Sequence, residues 1–196
     1  GTAAAVTADQ IGTHTTQIAA IEADPRYLGG DYYGQPAGEG PHVGMGIARR
    51  VAHLTYRSES ELDLRFGRDP QGNEDPTSGG RFAVESYLDH QADKLARRFD
   101  ANTYIALTRA MSLFDLGEGR GGVAEALGGI RAPLTVVGLD SDRLFPIRLQ
   151  EEIVAATPTA RPLQVVRSPY GHDGFLVEKE QVGEIVREAL SVVPVT

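Results

Sequence analysis

Cysteine is absent from all 196 residues. Its absence excludes disulfide bonds, thiolate metal sites and a cysteine nucleophile within this sequence. It also fits a reducing compartment. No charged, apolar and small-residue signal of the secretory type opens the sequence, which begins at Gly1 without methionine. We therefore expect a cytoplasmic location.

Basic residues and long apolar runs are also scarce. Lys and Arg number 19 against 27 Asp and Glu, which gives a net charge of −8. The basic pairs Arg49-Arg50 and Arg97-Arg98 are isolated, and phosphate binding needs a basic surface, so nucleic acid is not an expected partner. No apolar run approaches the roughly 20 residues that span a bilayer, so no membrane span is expected. Four of the five histidines show no paired i, i+4 spacing, and no metal site is predicted from them: His14, His42, His53 and His90.

What is present is the composition of a globular protein. Hydrophobic residues make up 41% and charged residues 23% of the sequence, and 196 residues suffice for one large or two small domains with a buried core. The first 122 residues predict helices separated by Gly-rich and Pro-rich loops. A capping box over 7–10 starts a helix to about Ala23, because its Thr and Gln can satisfy each other's backbone amides. Further helices are predicted over 42–57 and 81–99, and from Asp100 to about Leu113.

The Gly-rich segment 117–122 favours a structural linker over a phosphate-binding loop. It follows no strand, and it lacks the Lys-Ser/Thr of a P-loop. After it, the pattern changes to alternating strands and helices. Strand-like runs end near Leu139 and Arg167, with helices over 147–156 and 178–190, and this order predicts two parallel strands. Two parallel strands cannot bury both faces alone, so they are expected to belong to a larger sheet.

Acidic residues follow the first of these strands and a histidine follows the second. Asp140 and Asp142 come after one run, and His172 stands between Gly171 and Asp173 after the next. The carboxyl ends of adjacent parallel strands meet at one edge of a sheet, where open α/β sheets bind ligands. An acid and then a histidine at that edge is the ending of a Ser–Asp–His triad in chain order, with His172 as general base.

Three residues compete for the acid that orients His172. Asp142 is preferred over Asp140, because the Leu-Phe-Pro that follows could pin its turn against the core. Asp173 adjoins the histidine, so its side chain is expected to point elsewhere. No G-x-S-x-G sequence is present, so the nucleophilic serine of such a triad is expected to lie outside these residues.

A second pair of interest is Arg49 and Tyr56. They lie seven residues apart in a predicted helix and so share one face. An Arg there could bind a carboxylate in a bidentate manner. Spacing alone favours the plainer interpretation, a salt-bridging Arg and a half-buried Tyr.

The sequence resembles homoserine O-acetyltransferases along essentially its whole length. The resemblance rests on eight short segments in the right order: TADQ at 7–10, GDYY at 30–33, ARR at 48–50, LTYR at 54–57, ESYL at 85–88, RFDANTY at 98–104, SDRLFP at 141–146 and GHDGFL at 171–176. It implies an α/β fold, the C-terminal part of an α/β-hydrolase core with an inserted helical lid. Residues 1–122 would then be the lid domain, and 123–196 the last two strands and helices of the core.

The resemblance also implies a reaction and its residues. The family transfers acetyl from acetyl-CoA to an active-site Ser and then to the hydroxyl of L-homoserine, in methionine biosynthesis, by a ping-pong mechanism. Asp142 and His172 match its triad acid and base. Arg49 matches the position that holds the substrate carboxylate, Asp173 the position that holds its ammonium group, and Tyr56 a supporting contact. No bound cofactor and no metal are implied.

Partners follow from the same resemblance. The expected partner is an N-terminal half that carries the nucleophilic Ser, and the polypeptide alone is expected to be inactive. Lid helices would form a homodimer. Two alternatives stay open at this point: a serine or homoserine O-succinyltransferase, and a non-catalytic dimerisation fragment.

Overall fold

A computed structural model describes residues 2–36 and 38–191 of the chain. The helices and strands are α1 (Ala8–Glu22), α2 (His42–Tyr56), α3 (Glu59–Phe66), α4 (Ala83–Ala96), α5 (Ala101–Ser112), α6 (Val123–Gly128), β1 (Val137–Leu139), α7 (Arg148–Ala156), β2 (Gln164–Val166), α8 (Gly174–Val177) and α9 (Lys179–Ser191). Short 3₁₀ turns occupy Leu28–Gly30, Pro76–Ser78 and Gly171–Asp173.

The described residues form two compact units. The strand-containing unit comprises 2–5, Tyr56–Glu61 and 115–191, and the helical unit comprises Val6–Thr55 and Leu62–Phe114. These bounds differ from a single division at 122/123, because Tyr56–Glu61 and residues 115–122 group with the C-terminal segment.

The helical unit shows how local signals set its helix starts. The predicted capping box of α1 is confirmed, because the Thr7 hydroxyl accepts from the Gln10 N–H and the Gln10 side chain accepts from the Thr7 N–H. The predicted cap of α5 is confirmed as well, with the Asp100 carboxylate accepting from the Thr103 N–H at 2.7 Å. The core of this unit is a buried apolar cluster: Ile21, Met45, Ala48, Leu95, Ala96, Ala101 and Ile105.

The strand-containing unit holds the predicted parallel pair. β1 and β2 run parallel, with Val137 opposite Gln164 and Leu139 opposite Val166. Leu139 and Val166 are almost completely buried. The unit's core cluster consists of Leu127, Val136 and Ile153.

Strand β1 begins three residues later than the apolar pattern suggests. Leu134 makes only an isolated parallel bridge to Ala160. Pro162 lies between that bridge and β2, and it has no N–H to donate to a ladder. The regular pairing therefore resumes only at Val137. Among the described residues, no helix is both long and apolar enough to cross a membrane.

Candidate active site

The candidate site lies where β1 and β2 end. Residues 140–142 follow β1 directly, and the turn 168–173 follows β2 before α8 begins. Asp140 continues the pairing by one step, since its N–H donates to the Val166 carbonyl at 3.2 Å. The two parallel strands thus deliver their polar residues to one edge, as the sequence predicts.

Asp142 and His172 form a hydrogen-bonded pair at this edge. The Asp142 Oδ2 lies 2.8 Å from the His172 Nδ1. The side chain of Asp142 is fully buried, whereas that of His172 is 17% exposed. An ionised carboxylate only accepts hydrogen bonds, so it holds the proton on Nδ1 and leaves the lone pair on Nε2. This is the tautomer that a general base needs.

The second oxygen of the Asp142 carboxylate is fixed by the backbone. Its Oδ1 accepts from the N–H groups of Leu144 and Phe145, each at 2.9 Å. The Leu-Phe-Pro segment therefore orients the acid through backbone hydrogen bonds, in addition to any packing of its side chains. With both oxygens engaged, the carboxylate has little freedom to turn away from the imidazole.

The other two acidic residues have different partners. The Asp140 Oδ1 accepts from the Ser168 N–H at 3.0 Å. The Asp173 Oδ2 lies 3.4 Å from the Arg57 Nη2. Of the three acids considered from the sequence, all within the described residues, Asp142 is the one hydrogen-bonded to His172.

Three aromatic rings surround the imidazole of His172. The ring centroids of Phe145, Phe175 and Tyr56 lie 5.4, 5.5 and 6.0 Å from that of His172. The imidazole therefore lies among aromatic rings, and the His172 side chain is only 17% exposed. Tyr56, expected from the resemblance to be a supporting contact, therefore lies beside His172.

The turn that carries His172 packs tightly against the segment Tyr56–Glu61. Gly171 has a φ of +63°, and a Cβ there would lie 2.7 Å from the Ser58 nitrogen and 2.7 Å from the Tyr56 carbonyl oxygen. The Ser58 hydroxyl donates to the Pro169 carbonyl. Only glycine fits both the left-handed backbone and the close approach.

Arg57 joins the same contact through charge. Its guanidinium lies 3.4 Å from Asp173 and 3.6 Å from Glu61, and Glu61 is itself buried. Sequence reasoning did not identify Arg57 or Ser58 as part of this site. Their contacts with the histidine turn join residues far apart in the chain (Ser58 and Pro169 are 111 residues apart), and no local pattern signals such a contact.

Arg49 lies on α2 within the helical unit, and its side chain is half-buried. Its predicted contact with a substrate carboxylate stays a prediction. Among the described residues, no group of three or more His, Cys, Asp or Glu side chains is placed to hold a metal ion.

Comparison with known proteins supports the resemblance read from the sequence. No family model matches the chain. The chain is 58% identical over 189 residues to a homoserine O-acetyltransferase of Mycobacterium leprae, a match that covers 96% of this chain and 49% of that protein. The chain spans about half the length of the curated relatives it matches.

Solved structures with a similar fold include two from distant proteins. A homoserine O-acetyltransferase from Bacillus anthracis superposes with a TM-score of 0.79 at 20% identity, covering 91% of this chain and 48% of that one. An α/β-hydrolase enzyme from a Medee basin deep-sea metagenome library gives a TM-score of 0.63 at 12% identity, covering 100% of this chain and 55% of that one. The predicted fold class is confirmed, and these strands and helices are part of an α/β-hydrolase fold. By sequence, the chain is related over 96% of its length to about half of a homoserine O-acetyltransferase.

Proposed function

We propose that this chain supplies the base and the orienting acid of a homoserine O-acetyltransferase. The observation that carries the proposal is the Asp142–His172 pair, with a 2.8 Å hydrogen bond and a fully buried carboxylate. It lies in a chain that is 58% identical to a relative of that name. A non-catalytic dimerisation fragment would not need a buried carboxylate that is hydrogen-bonded both to His172 and to two backbone amides.

The proposed reaction has two transfers, and His172 serves both. In the first, His172 Nε2 takes the proton of a serine hydroxyl while that oxygen attacks the acetyl carbonyl of acetyl-CoA, and His172 then gives this proton to the CoA sulfur, which leaves as the thiol. In the second, His172 takes the proton of the L-homoserine hydroxyl while that oxygen attacks the acetyl-serine ester, and His172 then returns the proton to the serine oxygen as O-acetylhomoserine forms. Asp142 stabilises the imidazolium that forms in each step. In the cell this reaction would serve methionine biosynthesis.

The nucleophilic serine in this proposal lies outside the 196 residues. They contain no G-x-S-x-G, and they span about half of the relatives. We propose the complementary N-terminal half as the partner, and we expect the chain alone to show no turnover. Acetyl-CoA is the acyl donor substrate, and the proposal includes no bound cofactor or metal.

For the amino-acid substrate, we propose contacts of opposite charge at its two ends. Arg49 would bind the carboxylate and Asp173 the ammonium group, with Tyr56 beside the acceptor hydroxyl. The positions of Asp173 and Tyr56 support these two contacts, because Asp173 directly follows His172 and the Tyr56 ring centroid lies 6.0 Å from that of the imidazole. A succinyl donor stays an alternative, since the residues of this chain do not distinguish the two acyl groups.

We further propose a homodimer formed through the helical unit. Support comes from α5, where Leu107 and Met111 are each about half exposed and lie four residues apart on one helix face. Light scattering of the chain with its complementary half would give the mass of two such pairs. A mass of one pair would contradict the dimer.

The test of the catalytic proposal is complementation. The half of the Mycobacterium leprae relative that this chain does not match is co-expressed with the chain and assayed with acetyl-CoA and L-homoserine. We expect O-acetylhomoserine from the pair, none above background from either part alone, and none from the pair with His172→Ala. Turnover by the chain alone, or a fully active His172→Ala pair, would contradict the proposal. Succinyl-CoA in place of acetyl-CoA tests the alternative donor.

A further inference from the structure

We infer that Asp140 and Ser141 are positioning residues that hold the turn of His172 in place for Asp142. The inference rests on the proposed function and deepens it. It assigns a task to all three consecutive residues after β1, of which sequence reasoning considered only the two aspartates, and those as rival triad acids.

The contacts of 140–142 with the histidine turn form a continuous series. Asp140 Oδ1 accepts from the Ser168 N–H at 3.0 Å. The Ser141 hydroxyl donates to the Ser168 carbonyl and accepts from the Gly171 N–H at 3.0 Å. Asp142 then contacts His172 itself. Each side chain thus binds a later part of the same turn.

These side chains replace a strand ladder that has ended. The last backbone pairing between the two strands is that from the Asp140 N–H to the Val166 carbonyl. Beyond it, the backbone groups of Ser168 and Gly171 lie in a partly buried place and need other partners. The Ser141 hydroxyl donates to the Ser168 carbonyl and also accepts from the Gly171 N–H, so it is a partner for one backbone acceptor and one backbone donor.

Ser141 is the central member of the series because it acts next to the histidine. Gly171, whose N–H it binds, immediately precedes His172. Removing the hydroxyl would leave the Gly171 N–H and the Ser168 carbonyl without this partner, and the turn would shift to find others. A small displacement of a general base lowers the rate of the chemical step far more than it lowers substrate affinity.

The test uses the complemented enzyme described above. We expect Ser141→Ala to lower kcat by about 10-fold to 100-fold, an effect typical of a misplaced catalytic group, with KM for homoserine nearly unchanged. Ser141→Thr keeps the hydroxyl and should recover most of the rate. Ser191→Ala, at an exposed hydroxyl on α9, is the matched control and should leave kcat unchanged. Equal kcat for Ser141→Ala and the unmodified enzyme would overturn the inference.

A second readout does not depend on activity. In the 196-residue chain, the proton NMR signal of the His172 Nδ1–H reports its hydrogen bond to Asp142. We expect Ser141→Ala to weaken this signal and speed its exchange with water, while the helical circular dichroism stays the same. An unchanged signal would contradict the inference. If the unmodified pair does not acetylate homoserine, the proposed function fails, and the NMR comparison still decides the role of Ser141.

Asp140 provides a parallel pair of variants should Ser141→Ala fail to fold. Asp140→Asn keeps an oxygen that can accept from the Ser168 N–H, whereas Asp140→Ala removes it. A positioning role predicts that the Asn variant retains more of kcat and of the His172 signal than the Ala variant. Equal losses in both would show that charge matters at this position, which would contradict the inference.

Discussion

Among single residues, Asp142 is held through both of its carboxylate oxygens. Its two carboxylate oxygens contact three groups, two backbone amides and one imidazole. Asp142→Asn would place an amide beside Nδ1 and favour the wrong tautomer of His172. We expect kcat of the complemented enzyme to fall by about 10⁴-fold, as in other triads that lose this charge. Asp93→Asn, at an exposed acid on α4, is the control and should have no effect.

Steady-state measurement of kcat for Asp142→Asn and Asp93→Asn tests this prediction. A loss of less than about tenfold in kcat for Asp142→Asn would mean that this residue does not orient the base, since triad acids typically matter far more.

The close packing around Gly171 predicts that a larger residue there lowers stability. Alanine there would adopt a φ of +63° and place its Cβ 2.7 Å from two backbone atoms of Tyr56 and Ser58. We expect Gly171→Ala to lower the free energy of unfolding of the strand-containing unit by about 2 kcal/mol or more. Gly183→Ala is the matched control: it lies within α9 with open space around it. That change should raise stability by about 0.5–1 kcal/mol.

Urea unfolding followed by circular dichroism compares the two glycine variants. A Gly171→Ala protein as stable as the unmodified chain would show that the turn can move away from Ser58, contrary to the packing described.

The Asp142–His172 pair could be predicted from the sequence. The residues that hold the histidine turn in place could not. Asp142 and His172 each follow an apolar run, so the rule that parallel strands end at one edge brings them together. The contacts of Arg57 with Asp173 and of Ser58 with Pro169 join residues more than 100 positions apart, and no local sequence pattern specifies them. The sequence favoured Asp142 over Asp140 only through the Leu-Phe-Pro that follows it, because two aspartates at one strand end differ mainly in the direction of their side chains.

At the scale of the helix and the strand, Asp100 links stability to pH. Burial raises the pKa of its carboxyl, but hydrogen bonds from Tyr32, from the Thr103 backbone and side chain, and from Tyr33 outweigh burial, so its pKa lies below the ordinary value of 3.8. A lowered folded-state pKa means that the ionised form stabilises the fold above pH 3.8. This stabilisation is lost as the pH falls through the folded-state pKa.

We expect Asp100→Ala to lower the free energy of unfolding at pH 7 by about 1–2 kcal/mol, the usual effect of losing an N-cap. Asp100→Asn keeps the cap but not the charge. Its stability should therefore decline less than that of the unmodified chain between pH 5 and pH 2. Urea unfolding across this range measures both effects, and identical pH profiles for the Asn variant and the unmodified chain would contradict the assignment.

Helix starts were predictable because their signals lie within four residues. Thr7 with Gln10, and Asp100 before α5, are examples in which the cap and the amide it binds are neighbours in the chain. The start of β1 was not predictable in this way. Its apolar run begins before the strand does, and the ladder is interrupted by Pro162, which belongs to the other side of the pair.

At the scale of the whole molecule, the chain passes between its two units more than once. Residues 2–5 and Tyr56–Glu61 group with 115–191, although the helical segments lie between them in sequence. The sequence suggests a boundary after Gly122, because the composition changes there. No local pattern shows that the six residues Tyr56–Glu61 belong with the C-terminal segment. That short segment holds Tyr56, Arg57 and Ser58, all of which contact the histidine turn.

In the function we propose, His172 and Asp142 activate a serine that lies outside this chain. The most direct measurement is mass spectrometry of the complemented enzyme after incubation with acetyl-CoA alone, without homoserine. We predict one added acetyl group on a serine of the complementary half, none on the 196-residue chain, and none anywhere in the His172→Ala pair. An acetyl group carried by this chain, or an unchanged acetyl-serine in the His172→Ala pair, would contradict the account.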